Sequence, residues 1–241
     1  MKVLVIDVGN TRVHLGRYDG RRVISVRSLP ARMFRLPGSF CRGRWDAVLL
    51  ASVNPVAERD VAREVNARLG LRPMRLGRDI SLPIKARYWA GIDRLANAVG
   101  AKMRLKRKGI RRPCVVIDLG TAITFDVLSA RGEFLGGAIA PGMESAARAL
   151  AGNCGLLPHV GVRRPGRTIG HNTVENIRSG IYWGTVGLIR EQLGRIAGEL
   201  GCRPYVIGTG GSAGLLKREG LADEIVPALT LEGIAHCCPI R

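Results

Sequence analysis

Apolar residues near the N-terminus fall in three short runs that are separated by polar turns. The runs predict three strands of a meander, with a tight turn at Asp19-Gly20. The same arrangement of runs and turns returns past the midpoint of the chain. The pattern therefore predicts two meanders, with strands at Val3–Val8, Val13–Tyr18 and Val23–Arg27 and again at Cys114–Leu119, Thr124–Leu128 and Phe134–Ile139.

Longer stretches with helical spacing of apolar positions follow each meander. Pro55 suits a first helical turn, and small residues interrupt the longest predicted helix at Gly180, Gly184 and Gly187. Helices are predicted at Pro55–Leu69, Ile92–Leu105, Thr173–Leu200 and Leu231–Cys238. Two shorter helices are predicted, one after Pro141-Gly142 to about Leu150 and one after Gly208–Gly214 to about Arg218. Further strands are predicted at Ala47–Val53, Arg72–Leu76 and Tyr205–Gly208, with Leu29–Arg44 and Asn153–Thr168 irregular and Lys106–Arg112 as the crossing between the halves.

The two meanders share a motif at the turn after their first strand. Aspartate, one apolar residue and glycine end that strand in both copies, so Asp7 and Gly9 correspond to Asp118 and Gly120, and Thr11 and Thr121 add hydroxyl donors. Backbone N–H groups of such a turn can bind phosphate oxygens, and the carboxylate can hold a hydrated cation that bridges phosphates. A plain hairpin turn is the alternative for one copy alone, and the repetition weakens it.

A repeat of about half the chain predicts two similar domains, at residues 1–110 and 111–241. The predicted fold is α/β: duplicated actin-like (ribonuclease H-like) domains, each with a mixed sheet and flanking helices, and an ATP-binding cleft between them. The glycine-rich stretch Gly208–Gly214 suits the adenosine end of the nucleotide, or is an ordinary strand-to-helix loop.

Charge and composition narrow the function classes. The net charge of +19 makes nucleic-acid binding an obvious hypothesis. However, the basic residues are dispersed apart from Lys102–Arg112, and no nucleic-acid-recognition motif is evident. Steering of small polyanions is the alternative. The six cysteines have no metal-binding spacing, and no run is apolar enough to span a bilayer, so we expect a cytoplasmic protein with reduced thiols.

Four segments occur in an order that resembles the type III pantothenate kinase family: DVGNTRVHLG, AGIDRLANAVGA, DLGTAITFDV and GGAIAPGM. The resemblance extends from Val3 to about Ser179 and is weaker beyond. It implies an enzyme that phosphorylates pantothenate with ATP to give 4′-phosphopantothenate, in the first step of coenzyme A biosynthesis. It also implies Mg²⁺ with ATP, a monovalent cation (K⁺ or NH₄⁺) and a homodimer.

The resemblance assigns roles to individual residues. It implies that Asp93 is the general base, that Asp118 binds the monovalent cation and that Asp7 holds Mg²⁺ through the phosphates. The implied ATP-binding residues are Asp7, Val8, Gly9, Asn10, Thr11, Arg12, Val13, His14 and Thr121. The implied pantothenate-binding residues are Tyr88, Gly91, Ile92, Asp93, Arg94 and Thr173, the last supplied at the dimer interface.

Plain structural roles compete with three of these assignments. Asp93 is also suited to cap the helix that follows Gly91, Arg94 to form a surface ion pair, and Thr173 to cap a helix. The chain departs from the family pattern in its short length, its charge and a shortened segment around Tyr88. A transcription accessory factor of the same family and a kinase for another small hydroxy acid stay as alternatives, and specific nucleic-acid binding is disfavoured.

Overall fold

The computed structural model describes residues 1–239, which contain two five-stranded sheets. In the first sheet the strands lie in the order β3-β2-β1-β4-β5. Strand β1 pairs antiparallel with β2 and parallel with β4, so this sheet is mixed. Its strands are β1 (Val3–Val8), β2 (Arg12–Tyr18), β3 (Val23–Pro30), β4 (Ala47–Ser52) and β5 (Met74–Arg75).

The second sheet repeats this order. Its strands are β6 (Cys114–Leu119), β7 (Ala122–Leu128), β8 (Phe134–Pro141), β9 (Tyr205–Thr209) and β10 (Glu224–Ile225), arranged as β10-β9-β6-β7-β8. In both sheets a meander of three strands is followed by a later strand that lies beside the first strand of the meander. The duplication predicted from the repeated motif is therefore confirmed.

Seven helices lie among the described residues. They are α1 (Gly38–Cys41), α2 (Pro55–Leu69), α3 (Ile92–Lys108), α4 (Met143–Asn153), α5 (Thr173–Leu200), α6 (Gly214–Arg218) and α7 (Leu229–His236). The predicted bounds of α2 and α5 agree with the structure because both helices have clear end signals. For α2, the Asn54 side chain accepts the N–H of Ala57, Pro55 follows, and Gly70 ends the helix in the left-handed conformation.

The prediction that Lys106–Arg112 forms the crossing was wrong for its first half. Lys106, Arg107 and Lys108 form the last turn of α3, and Gly109 caps it in the left-handed conformation. Basic side chains are favourable at a helix C-terminus because they face the negative end of the helix dipole. The crossing is therefore limited to the few residues between Gly109 and β6.

Other predicted element boundaries were also wrong. The segment Leu29–Arg44 was expected to be irregular, but β3 continues to Pro30 and α1 forms a short turn of helix. The strand expected at Arg72–Leu76 is limited to Met74–Arg75, with one further bridge from Leu76 to Ile80.

Strand β1 is buried on both faces. Leu4, Ile6 and Val8 belong to an apolar cluster that includes Val61 and Val65 of α2. The alternate positions Val3 and Val5 belong to a second cluster with residues of α3 and α7, since successive side chains of a strand point to opposite faces.

Helices α3 and α7 approach closely at two glycines. A Cβ atom on Gly100 would lie 2.7 Å from the carbonyl oxygen of Leu229, and one on Gly233 would overlap the carbonyl of Ala96. Both positions therefore require glycine, and the close approach fixes α7 against the helix that begins at Gly91.

The chain divides into two compact units. Unit 1 comprises residues 1–116, 126–136 and 228 onward; unit 2 comprises residues 117–125 and 137–227. Unit 1 holds the first sheet with α2, α3 and α7, and unit 2 holds α4, α5 and α6. The domain division at residue 110 stays a prediction. Within residues 1–239 no helix is long and apolar enough to cross a membrane.

Candidate active site

The turn between β1 and β2 is an exposed hairpin of unit 1. The Gly9 N–H donates to the carbonyl of Arg12 over 2.9 Å, and the Arg12 side chain donates to the hydroxyl and carbonyl oxygens of Ser28 over 2.6 and 3.0 Å. Asn10 and Thr11 are exposed at its tip. The turn therefore exposes polar groups to solvent, and hydrogen bonds within its own meander hold its backbone in place.

The residues on either side of this turn anchor it in the sheet. Val8 and Val13 are fully buried and face each other across the β1–β2 pair. Asp7 and His14 form the next pair and are half-buried. Burial lowers the pKa of His14 from its ordinary value, and the charge of Arg12 lowers it further. His14 is therefore favoured in its neutral form.

The turn between β6 and β7 has the same start and different surroundings, all in unit 2. Asp118 is half-buried, and Gly120 and Thr121 are exposed. The Gly120 N–H donates to the carbonyl of Ala122 over 3.0 Å, so this turn is one residue shorter than the first. Its path is held by two other backbone segments as well as by its own hairpin.

The first of these segments is the N-terminus of α4. The Gly142 N–H and the Ser145 hydroxyl both donate to the carbonyl of Thr121, over 3.0 and 2.7 Å. A Cβ atom on Gly142 would overlap the carbonyl of Gly120 and lie 2.6 Å from that of Thr121. Only glycine fits there, so the start of α4 lies directly against the turn.

The second segment is the glycine-rich turn after β9. The Ser212 N–H donates to the carbonyl of Leu119 over 3.0 Å. Gly210 has a φ of +90°, and a Cβ atom there would overlap the carboxylate of Asp118 and lie 2.7 Å from the Leu119 backbone. The sequence indicated the glycine-rich turn but not its position against Asp118.

Asp93 lies in the first turn of α3. The N-cap residue is Gly91, which has no side chain to cap the helix, so the alternative that Asp93 is the N-cap does not hold. The Asp93 carboxylate accepts the N–H of Arg94 over 2.7 Å, and a Cβ atom on Gly91 would lie 2.8 Å from it. An acidic group is favoured there by the helix dipole, and glycine leaves one side of the carboxylate open.

Arg94, the next residue, points into unit 1 and is 8% exposed. Its Nε donates to Asp126 Oδ1 over 2.6 Å, its Nη1 donates to the Tyr88 hydroxyl over 3.4 Å, and its guanidinium carbon lies 5.6 Å from the centre of the Phe134 ring. The alternative that Arg94 forms a surface ion pair was wrong, because Asp126 is fully buried.

The charges of this buried pair depend on each other. Burial by itself lowers the pKa of Arg94, but the charge and hydrogen bond of Asp126 raise it, and the net direction is upward. Removal of one partner from a buried ion pair costs about 3–5 kcal/mol, because the other charge is left uncompensated. Arg94 Nη2 is buried and has no hydrogen-bond partner among the described residues.

Tyr88 lies beside Arg94, in the loop before α3. Its ring lies 5.8 Å from the Phe134 ring, and 48% of the residue is exposed. Trp89 is 69% exposed, whereas Ile92 is buried under the first turn of α3. The structure therefore brings the predicted substrate residues of unit 1 together at the start of α3, with the Tyr88 ring open to solvent.

Thr173 is the first residue of α5, in unit 2, and is exposed. The cap of α5 is Asn172, whose side chain accepts the N–H of Glu175 over 3.0 Å. Glu175 in turn accepts the N–H of His171 over 2.9 Å, and this hydrogen bond lowers the pKa of Glu175. The alternative that Thr173 serves as the cap was therefore wrong, and its hydroxyl is not needed to start the helix.

Comparison with known proteins identifies the family. A family model described as type III pantothenate kinase matches residues 3–195. The chain is 36% identical to the type III pantothenate kinase of Persephonella marina, with 96% of each chain covered. It is 38% identical to that of Akkermansia muciniphila, with 97% of each chain covered. The chain belongs to the type III pantothenate kinase family.

Solved structures support the fold of this pantothenate kinase family member. A Campylobacter jejuni protein described as a Baf family transcriptional activator is 20% identical, with a TM-score of 0.61 over 97% of this chain and 96% of that one. An archaeal actin homologue is 14% identical, with a TM-score of 0.50 over 98% of both. These likenesses show the fold alone, and the predicted actin-like class is confirmed.

The carboxylates predicted from the sequence are not part of a metal-binding cluster of side chains in the described part of the chain. Among residues 1–239 no group of three or more His, Cys, Asp and Glu side chains could hold a metal ion. A cation at Asp7 or Asp118 would therefore need ligands from backbone carbonyls, phosphates or water. Such oxygen-rich sets suit Mg²⁺, which usually keeps several waters and binds with substrate phosphates.

Two features escaped the sequence reasoning. The convergence of Gly142 and Gly210 on the β6–β7 turn depends on tertiary packing, although the glycines of PGM and GTGGSAG are visible in the sequence. Asp126 was overlooked because it lies inside a strand. Its signal was a charged residue at the strand position where the first repeat has Gly16.

Proposed function

We propose that this kinase transfers the γ-phosphoryl group of ATP to the primary hydroxyl of pantothenate and forms 4′-phosphopantothenate, the first step of coenzyme A biosynthesis. The observation that carries the proposal is the start of α3, where the half-buried carboxylate of Asp93 accepts the backbone N–H of Arg94, whose side chain is buried in unit 1. The names of the relatives supply the substrate.

Asp93 is proposed as the general base. Phosphoryl transfer depends mainly on positioning and charge stabilisation, and a carboxylate near the attacking hydroxyl accepts its proton. In this step the hydroxyl proton passes to Asp93, a bond forms from the hydroxyl oxygen to the γ-phosphorus, and the bond to the β-phosphate oxygen breaks, which releases ADP. The hydrogen bond from the Arg94 N–H holds the carboxylate in place.

The β1–β2 turn is proposed to bind the ATP phosphates. It offers backbone N–H groups and exposed polar side chains, which suit phosphate oxygens. The residues proposed are Asp7, Val8, Gly9, Asn10, Thr11, Arg12, Val13 and His14, with Thr121 in the equivalent turn of unit 2. Mg²⁺ bound to ATP would neutralise charge on the phosphates, and Asp7 would hold it through them.

Asp118 is proposed to bind a monovalent cation, K⁺ or NH₄⁺. The Gly210 backbone lies close against this carboxylate, since a Cβ atom there would overlap it, and backbone carbonyl oxygens would complete the ligand set. Oxygen ligands of this kind suit a cation that carries a single charge and has weak directional demands. The cation would balance the carboxylate and the phosphates near it.

Pantothenate is proposed to contact the residues around the start of α3. Tyr88 and Arg94 supply hydrogen-bond donors, and Gly91 and Ile92 supply backbone groups at the helix N-terminus. Thr173 is proposed to contribute its exposed hydroxyl from a second subunit. The assignment follows the family motif residue by residue.

A homodimer is proposed from the exposed glycines of α5. No described residue outside the helix's own backbone lies within 4 Å of a Cβ atom added to any of them. The glycines therefore show no close packing against the chain's own sheet. Their spacing returns to one face of the helix and allows a second helix to approach closely: Gly180, Gly184, Gly187, Gly194 and Gly198. Light scattering that shows a stable, fully active monomer would contradict the dimer.

The proposal includes an organisation and a location. The phosphate turns at Asp7 and Asp118 would belong to domains at residues 1–110 and 111–241. Proteolysis at the crossing near Gly109 would test this domain division. A kinase that uses ATP for coenzyme A synthesis would act in the cytoplasm.

The decisive experiment is an ATP-consumption assay over a panel of hydroxylated carboxylates, with and without potassium. Pantothenate should be used best, and Asp93→Asn should lower turnover about a hundredfold or more while ATP still binds. Near-normal turnover in a correctly folded Asp93→Asn variant would contradict the base role. Use of another hydroxy acid in place of pantothenate would reject the proposed substrate.

A further inference from the structure

One charged residue lies in the interior of a β-strand that is otherwise apolar at its buried positions. Asp126, in β7, is completely buried, with Phe125 and Leu128 also buried in the same strand. The equivalent position of the first repeat, counted from the starts of β2 and β7, is Gly16. The carboxylate is therefore a departure from the repeat and not part of the common fold.

The contacts of Arg94 show what this carboxylate does. Asp126 accepts a hydrogen bond from Nε, the Tyr88 hydroxyl accepts one from Nη1, and the Phe134 ring covers the guanidinium. These contacts fix the plane of the Arg94 guanidinium and the direction in which it points. They leave Nη2 buried without a partner among the described residues. A buried N–H group without an acceptor is costly, so an acceptor is expected there in the working enzyme.

We propose that Asp126 is a positioning residue for Arg94, and that it aims Nη2 at an uncharged oxygen of the substrate, a hydroxyl or an amide carbonyl. The proposal rests on the proposed function and deepens it by naming the part of the substrate that Arg94 holds. The alternative is that the guanidinium binds the carboxylate of the substrate.

Charge balance distinguishes the two possibilities. Asp126 already neutralises Arg94, and the other side chains against the guanidinium, Tyr88 and Phe134, add no positive charge. A substrate carboxylate at Nη2 would give the cluster a net negative charge in a buried place, which is unfavourable. A hydroxyl or carbonyl oxygen completes the hydrogen bonds of Nη2 without adding charge.

The first test is Asp126→Asn, which keeps an acceptor for Nε and removes the charge. We expect KM for pantothenate to rise about tenfold or more, with KM for ATP within about twofold of wild type, because a loosened Arg94 misplaces the substrate. Asp126→Ala should be worse than Asp126→Asn, since it also removes the acceptor. Thermal unfolding of each variant shows whether the kinetics are those of folded protein.

The matched control is Glu232→Gln. Glu232 pairs with Arg104 over 3.2 Å, and Arg104 lies on the same helix as Arg94 and about 15 Å further along it. Loss of this partly buried pair should lower stability with both KM values unchanged. If Asp126→Asn likewise changes only stability, or if it raises KM for ATP and not for pantothenate, the positioning role is overturned.

The second test does not depend on how Asp126 variants fold. Arg94→Lys keeps the charge beside Asp126 and removes Nη2. Its affinity for pantothenate and for pantothenol, in which an alcohol replaces the carboxylate, is measured from KM or from competitive inhibition. An equal loss for both ligands supports an uncharged acceptor; a loss confined to pantothenate means that Arg94 binds the carboxylate and overturns the proposal.

Failure of the proposed function gives a different result. If the wild-type enzyme does not phosphorylate pantothenate, the substrate assignment falls before any variant is made. The Asp126 test is then run with the hydroxy acid of the panel that the wild type does use, with the same expected rise in KM for that acid and the same overturning outcomes.

Discussion

The turn after β1 and the turn after β6 start from the same sequence pattern and are held by different neighbours. In the first, the Gly9 N–H donates to the carbonyl of Arg12, three residues later, and the Arg12 side chain donates to Ser28 of the adjacent strand. In the second, the Gly120 N–H donates to the carbonyl of Ala122, only two residues later. The first turn is thus held by its own meander.

The second turn depends on distant parts of the chain. Its backbone lies against Gly142 at the start of α4 and against Gly210 after β9. A Cβ atom on Gly142 would meet backbone carbonyls alone, and one on Gly210 would meet the Leu119 backbone as well as the Asp118 carboxylate, so little in either place can move aside. A repeated motif therefore predicts a repeated strand-and-turn path, while the contacts that make each copy rigid are specific to that copy.

The strongest way to break this comparison is to add a methyl group at the crowded turn. Gly210→Ala should destabilise the protein by about 3 kcal/mol, because it combines a positive φ with overlap onto Asp118. Gly142→Ala should cost a similar amount, since backbone carbonyls cannot move aside. Urea unfolding measures both free energies, and values below about 1 kcal/mol would mean that the second turn is not crowded.

The two aspartates should respond differently to loss of charge. Under the proposed function, Asp7→Asn should lower turnover at every cation composition and raise the Mg²⁺ requirement. Asp118→Asn should remove only the advantage of potassium over sodium, a factor of about ten, since a single carboxylate charge near the phosphates is lost. Rates with Mg²⁺ titrated and with K⁺ exchanged for Na⁺ separate the two. A variant of Asp118 that keeps full potassium dependence would contradict its assignment.

The sequence predicted the shared part of the two turns and not the part that differs. Alternating and helical patterns are local, so β1, β6 and α2 could be located from them. The end of α3 could not, because a basic helix terminus and a basic linker have the same composition. Contacts between distant residues carry no local pattern at all.

The candidate site shows the same limit. The motif around Asp93 and Arg94 consists of adjacent residues, so it is visible in the sequence, and the family resemblance implied its role. The Arg94–Asp126 pair joins residues 32 positions apart. Only the mismatch between Asp126 and Gly16 in the two repeats could have indicated it, because a charge in a buried strand needs a partner.

A smaller effect is expected at the first glycine of each turn. A Cβ atom on Gly9 would lie 3.1 Å from the carbonyl oxygen of Arg12, whereas one on Gly120 would lie 3.5 Å from Asp118 at ordinary contact distance. Gly9→Ala should therefore cost about 1 kcal/mol, and Gly120→Ala less than about 0.5 kcal/mol. Unfolding free energies in the absence of ATP check the order; the reverse order would show that the surrounding backbone is tighter at Gly120.

The last expected difference is a pH dependence that only the first turn has. His14 of β2 corresponds in position to Thr124 of β7, which does not titrate. Burial and Arg12 lower the pKa of His14 in the folded protein, so the unfolded chain takes up the proton first as pH falls. Stability should therefore decline as pH falls below about 6.5, with a slope of at most about 1.4 kcal/mol per pH unit from this single group, until the folded pKa is passed. His14→Thr, which places the residue of the second turn in the first, should reduce this decline, while the part due to His236, whose pKa is also lowered by burial, remains; Thr124→Ala should leave the decline unchanged. Unfolding free energies measured without ATP between pH 5 and 8, a range chosen to bracket the ordinary pKa of histidine, check the sign. An undiminished slope in His14→Thr would assign the proton uptake to another group and remove the last difference drawn between the two turns.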